Sequence, residues 1–232
     1  MKKRIRSLRG IVSMVRLVRD PDRLDEVFAL ADAMANDEIL SQLAAAFAED
    51  PRGARALVER PRIGRVDLQA LRSLPEGTLG RTFAEHMIAN GLDPAALPSL
   101  ESHDAASFVR AHLYETHDVW HAVTGFKTDV AGELGLQAFG LAQFPSRLGA
   151  LLIAGGLLHA AISRFDDRDA RMREIVRGWL LGKRARKLFG MRWGEMWSRP
   201  IDEIRRELGL DLAAIEAELP ARELVLEVPA AA

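Results

Sequence analysis

Helix punctuation recurs along this chain, and no run of alternating β-branched residues between the stops is long enough to found a sheet. Asp20-Pro21 supplies a cap and a first-turn proline for a helix to about Ala35. Asn36-Asp37 restarts a helix that ends before Asp50-Pro51. Arg60-Pro61 and Leu74-Pro75-Glu76-Gly77 are breaks, the second a turn before Thr78 caps a helix that stops at Asn90-Gly91. Asp93-Pro94 and Leu97-Pro98 mark a loop. From about Asp104 a long helix carries Phe108, Leu113, Val119 and Trp120 on its apolar side and ends near Gly125. Further helices run from near Thr128 toward Gln143, onward from Phe144-Pro145-Ser146, over roughly 169–188, and from Pro200 to Gly209, with Pro220 closing the last. Only residues 223–228 hint at a strand. The pattern predicts an all-α fold: one multi-helix domain over residues 1–220, its first 60 residues peripheral, then an alanine-rich tail at 221–232.

The first nineteen residues are basic and apolar by turns. Arg16 and Arg19 interrupt the apolar run, which argues against a cleaved secretory signal. An amphipathic helix fits better, with Ile5, Leu8, Ile11, Val12 and Val15 on one side, either packed on the core or resting on an anionic membrane surface. The apolar stretch over residues 148–162 is shorter than the roughly twenty residues a membrane span needs. It includes His159, which reads as a core histidine rather than a ligand. Residues 163–192 hold ten Lys or Arg against four Asp or Glu, either a solvated face or a contact for anionic headgroups or a partner. The formal net charge of −1 gives no electrostatic case for nucleic acid. The absence of cysteine removes disulfides, zinc–thiolate sites and thiol nucleophiles together.

The chemistry concentrates at His117-Asp118-Val119-Trp120-His121. Residues four apart share a helix face, so His117 and His121 can grip one ion through their imidazoles. Asp118 stands about 100° round the helix, placed to ligate from the side or to orient a histidine. Glu133 lies twelve residues past His121, and a break at Gly125–Thr128 lets the next helix fold back and bring it to the same point. Two imidazoles and two carboxylates suit zinc, and less decisively iron, cobalt or manganese. The plain alternative is a pair of polar residues on a packed helix. HExxH metalloprotease chemistry fits poorly, because Asp118 is a shorter arm than the general-base Glu and no edge strand is evident to hold substrate. His-Asp phosphohydrolases need further histidines and aspartates at spacings not assignable here.

At these residues the chain resembles the coenzyme Q (ubiquinone) biosynthesis protein four family, whose hallmark is His-Asp-x-x-His, eleven residues, then Glu. Here that is His117, Asp118, His121 and Glu133 with residues 122–132 between. Leu74-Pro-Glu-Gly-Thr-Leu-Gly80 is similar to the family's LPxGTLG turn, and Asn90-Gly-Leu-Asp-Pro94 to the segment after it. Gly182-Lys183, Leu188-Phe189, Arg192-Trp193 and Trp197 through Arg199-Pro200 are similar to its C-terminal block, so the likeness runs from about residue 65 to 210.

The resemblance implies an all-helical fold, a divalent metal, usually zinc, held on the four motif residues, and peripheral membrane association. It implies action on a polyprenylated quinone precursor: removal of the ring C1 carboxyl and its replacement by hydroxyl, with the motif residues as the catalytic set. Its members are also described as scaffolds that organise other ubiquinone-biosynthesis enzymes, which would make the metal structural. Because the chain begins almost directly with its first helix, the expected location is the cytoplasmic face of a bacterial inner membrane; homo-oligomerisation stays open. No strand followed by GxGxxG is present, so an oxidant, dioxygen or an electron partner, would come from outside. The apolar helix is either a central core element or, through Leu151, Leu152, Gly155, Gly156 and Leu158, a channel wall for the polyprenyl chain.

Overall fold

A computed structural model of the chain describes residues 2–20, 23–94 and 100–220. Twelve α-helices are present there: α1 (Lys2–Arg19), α2 (Leu24–Met34), α3 (Asp37–Ala48), α4 (Pro51–Glu59), α5 (Leu68–Arg72), α6 (Leu79–Ala89), α7 (Ala105–Thr124), α8 (Val130–Gln143), α9 (Arg147–Ser163), α10 (Arg168–Arg184), α11 (Ile201–Leu208) and α12 (Leu212–Glu218). No strand occurs among the described residues, only one isolated bridge between Thr78 and Pro200. The all-α expectation holds.

The helix ends follow local chemistry. The side chains of Asn36, Thr78, Asp129 and Ser146 accept from backbone N–H groups in the first turns of α3, α6, α8 and α9, and Asp104 and Ser107 form a reciprocal box at the start of α7. Three expectations need correction. The helix assigned to Asp20-Pro21 starts at Leu24, with Arg23 at the cap position and no side-chain cap. Asp50-Pro51 is not only a stop, since Asp50 accepts from Arg52 and Gly53 and Pro51 opens α4. The helix expected over 169–188 ends at Arg184, where Ala185 turns extended. Pro21, the Leu97-Pro98 pair, residues 223–228 and the alanine-rich tail lie outside the described residues.

One core cluster gathers Phe83 and Met87 of α6, Val119, Trp120 and Val123 of α7, Phe139 of α8, Leu181 of α10 and Ile204 of α11. A second joins Leu40, Leu43 and Phe47 of α3 and Ala56 of α4 to Phe108 and Val109 of α7, with the Phe47 ring stacked on Phe189 at 3.6 Å. The N-terminal third therefore shares apolar contact with the central helix. Helices α8 and α10 run parallel and very close: a Cβ at Gly178 would stand 1.9 Å from the Gly135 carbonyl oxygen, and one at Gly182 would stand 2.6 Å from that of Phe139. This pairing holds α8 firmly beneath the site described below.

Helix α9 uses its glycines for close approach. A Cβ at Gly155 would meet Met14 of α1 at 2.8 Å, and one at Gly156 would meet Leu134 of α8 at 2.6 Å. The two glycines are covered by neighbours, whereas Leu151 and Leu152 are half-buried and Leu158 is exposed. His159 is buried and its Nδ1 meets the Val18 carbonyl at 2.9 Å, which is the core role expected of it.

Helix α1 turns Ser13 and Leu17 inward and leaves Ile11, Val12 and Val15 exposed. Leu158 and Ile162 of α9, Phe165 just after it, and Met172, Val176 and Trp179 of α10 are exposed as well. Large exposed apolar side chains thus concentrate on α1, α9 and α10. No described helix is long and apolar enough to cross a membrane.

Candidate metal centre

The long helix α7 ends at Gly125, whose φ of 71° is a left-handed cap that a side chain would resist. The chain then turns through residues 126–129 and re-enters a helix at Val130, so Glu133, in the first turns of α8, returns to the last turns of α7. His117, His121 and Glu133 each bring one ligand atom into a group lying within 4.8 Å. The two Nε2 atoms are 3.3 Å apart, His121 Nε2 is 3.0 Å from Glu133 Oε1, and His117 Nε2 is 3.6 Å from Glu133 Oε2. Donors around a tetrahedral ion bonded at about 2.1 Å stand about 3.4 Å apart, so this triangle fits such an ion.

Proton placement supports the same reading. His121 is fully enclosed, and its Nδ1 lies 3.0 Å from the Phe126 carbonyl, an acceptor only. The ring proton belongs there, so a neutral His121 turns an Nε2 lone pair toward both His117 and the Glu133 carboxylate. Lone pairs converging from three sides need a cation between them, whether metal or proton. Burial opposes charge on His117, but the hydrogen bond and field of Glu133, helped by Asp118, raise it to about 8. Burial also opposes charge on Glu133, yet the hydrogen bond from His117 and the two imidazoles beside it hold its carboxyl well below the usual range.

Asp118 is not among the three converging ligands. It is half-buried, and its charge acts on His117 and on a histidine the sequence reading passed over, His86. The His86 ring stacks on His121 with centroids 5.6 Å apart. Its Nε2 is shut from solvent without a hydrogen-bond partner, which commonly costs about 1–3 kcal/mol. Beside these rings a pocket of about 400 Å³ is bounded by Thr82, His86 and Asn90 of α6 and by the turn after α7. The signal was available in outline: Thr82, His86 and Asn90 stand four apart and share a helix face. What they face is a tertiary matter.

His117 and Glu133 remain about one-third exposed, so the triangle has an open side. Three protein ligands with an open position describe a catalytic metal site more closely than a closed structural one. Asp118 would complete the set only by a side-chain rearrangement or act from behind the ligands.

Comparison with known proteins gives one family. The model for coenzyme Q (ubiquinone) biosynthesis protein Coq4 matches residues 3–214. The ubiquinone biosynthesis protein coq4, mitochondrial, of Aspergillus fumigatus is 34% identical over 209 residues, covering 87% of this chain and 71% of that protein. Its counterpart in Neurospora crassa is 32% identical over 221 residues, covering 92% of this chain and 61% of that one. A crystal structure from Nostoc punctiforme, titled as a candidate ubiquinone biosynthesis protein, superposes with a TM-score of 0.76 at 30% identity, covering 88% of this chain and 98% of that one.

Proposed function

The chain belongs to the coenzyme Q (ubiquinone) biosynthesis Coq4 family, a family of ubiquinone synthesis, and from that membership we propose that it removes the C1 carboxyl of a polyprenylated hydroxybenzoate. The observation that carries the proposal is the open triangle of His117, His121 and Glu133. A divalent ion there, zinc first and iron, cobalt or manganese next, supplies Lewis-acid polarisation of a carboxylate or phenolate oxygen. The chain's own residues prepare that site. The Phe126 carbonyl fixes His121 in the tautomer that presents Nε2, and Glu133 contributes the negative charge. Asp118 biases the His117 imidazole electrostatically.

Replacing carboxyl by hydroxyl, with water supplying the new oxygen, releases carbon dioxide, two protons and two electrons, so the acceptor, dioxygen or an electron partner, comes from outside the chain. The exposed apolar side chains of α1, α9 and α10, flanked by Arg16, Arg19, Arg164 and Arg168, support peripheral docking on an anionic membrane that carries the precursor's tail. Other ubiquinone-biosynthesis enzymes are the protein partners this reading implies.

The test is direct. Purified metal-loaded protein is given a carboxylated prenylphenol and oxygen, and carbon dioxide release is followed with the hydroxylated ring product. Turnover that disappears in His117→Ala supports the reading. A scaffold would show no turnover with any metal while still binding the prenylphenol.

A further inference from the structure

The pocket beside the metal triangle has a polar inventory of its own. Thr82, His86 and Asn90 line one wall at helical spacing on α6, and Gly125 through Asp129 form the opposite wall. Two of its polar groups are satisfied. Asn90 accepts from the Thr128 hydroxyl at 2.6 Å and donates to the His86 carbonyl at 2.7 Å. Asp129 caps α8 by accepting from Gly132.

The pocket's two cations differ. Arg205 is occupied, donating to the carbonyls of Val123 and Ala122 and to Asp202. Lys127 is exposed at the mouth and makes no ion pair among the described residues. His86 adds an imidazole whose Nε2 has no partner. The polar groups here without a protein partner include the Lys127 ammonium, which water reaches, and the enclosed His86 Nε2. Phe126 also lines the pocket, its side chain buried with the Arg177 guanidinium over the ring. The volume of about 400 Å³ is within the range of small-molecule sites. His121, one of the three metal-triangle residues, also lines the pocket, and the His86 ring stacks on it.

We propose that this pocket is the specificity site for the acidic ring end of the ligand, a small aromatic carboxylate, with Lys127 pairing with the carboxylate and His86 Nε2 hydrogen-bonding to it. The inference rests on the proposed function for the ligand class, but assigns residues outside the metal triangle. A carboxylate pairs with both groups at once, because it accepts from an ammonium and an imidazole N–H with separate lone pairs. A neutral aromatic of the same shape would leave Lys127 unpaired and bind more weakly. Lys127 and His86 act as binding residues, and the metal ligands are not required to touch the carboxylate while it sits there.

The probe is 4-hydroxybenzoate, with 4-hydroxybenzamide as its neutral partner, titrated calorimetrically into the metal-loaded full chain. Lys127→Ala and His86→Phe are compared with wild type after metal content and melting temperature are shown to match. The expected result is that each variant weakens 4-hydroxybenzoate by about tenfold, the loss of one charge-assisted contact, and that Lys127→Ala leaves the benzamide unchanged, whereas His86→Phe weakens it too because its carbonyl also accepts from the imidazole. Unaltered benzoate affinity in both variants overturns the site. So does affinity that falls only in His117→Ala, since the carboxylate would then sit on the ion; that outcome leaves the metal reading standing. Conversely, a benzoate response to Lys127 and His86 in a protein that never turns over prenylphenol supports this pocket and defeats the catalytic proposal.

Discussion

The Nδ1 of His121 lies 3.0 Å from the carbonyl oxygen of Phe126, two residues beyond the end of the helix that carries the histidine. This contact links the turn after α7 to the metal triangle, because it fixes which nitrogen of His121 faces Glu133. The first prediction follows from the ligands themselves. His117→Ala and His121→Ala should each abolish stoichiometric metal, since one imidazole and one carboxylate hold a borderline ion poorly. Elemental analysis finding a full equivalent of metal in both variants would remove the site.

The second prediction concerns the support beneath the site. A methyl at position 178 would press on the Gly135 carbonyl of α8, a backbone atom that cannot swing aside. Gly178→Ala should therefore destabilise by about 1–3 kcal/mol or more, lowering the melting temperature by several degrees. Gly140→Ala meets only Phe144 ring atoms at 3.7 Å and should be neutral or stabilising. Equal melting of the two variants in thermal scans would contradict the close α8–α10 pairing.

Much of this was readable in the sequence, for identifiable reasons. Thr78, Asp104, Ser146, Gly125 and Gly209 act through their own first or last turn, so their effects are local and legible. Asp50-Pro51 reads as a stop alone because one Asp-Pro pair can stop one helix and start the next, and nothing local separates the two. His117 and His121 were readable as a pair by helical spacing. Whether Asp118 joins them depends on a rotamer, and there the structure brings in only Glu133. The pocket that His86, the turn at 126–129 and Arg205 line together joins distant segments and leaves no periodic trace.

Histidine 112 supplies a pH prediction remote from the metal. It is buried, its Nε2 accepts from the Gly190 N–H at 3.1 Å, and its Nδ1 faces the Pro61 carbonyl at 3.3 Å. Burial lowers its pKa to about 4, with the Pro61 carbonyl opposing. Between about 4 and 6.5 the unfolded chain then binds the proton and the folded one does not, so stability is full above about pH 6.5 and declines as pH falls through that window. The loss should approach about 3 kcal/mol near pH 4. Urea unfolding with chelator present, at pH 5 and 7.5, should show a smaller pH difference in His112→Gln than in wild type. The same difference in both proteins would assign the acid sensitivity elsewhere.

Membrane docking predicts a dependence on particular apolar residues. Ile162 and Phe165 stand exposed at the end of α9 beside Arg164 and Arg168. Ile162→Glu with Phe165→Glu should weaken binding to anionic phosphatidylglycerol vesicles by more than tenfold, because each buried apolar side chain is worth about 1.5–3 kcal/mol. High salt should weaken the wild type in part, through the arginines. Vesicle flotation that is indifferent to both changes would move the docking face off α9.

The final prediction separates a catalytic ion from a structural one through Asp118 and Glu133. Glu133 lies between both imidazoles, whereas Asp118 stands off the ligand triangle and acts on His117 through its charge. If the ion is catalytic, Asp118→Asn should preserve folding and metal while activity falls about 10–100-fold, the usual consequence of losing a partner that orients a ligand. Glu133→Gln should be more severe, because the amide removes the one carboxylate that meets both histidines. If the ion is structural, both variants should lose thermal stability, and quinone would fall only in step with protein abundance, since metal-binding energy is then folding energy. Melting temperature, metal content and cellular quinone are measured at matched expression. Native melting with accumulated carboxylated precursor supports the enzyme. Reduced melting with quinone tracking abundance supports the scaffold, and normal quinone from stable, metal-free variants defeats both.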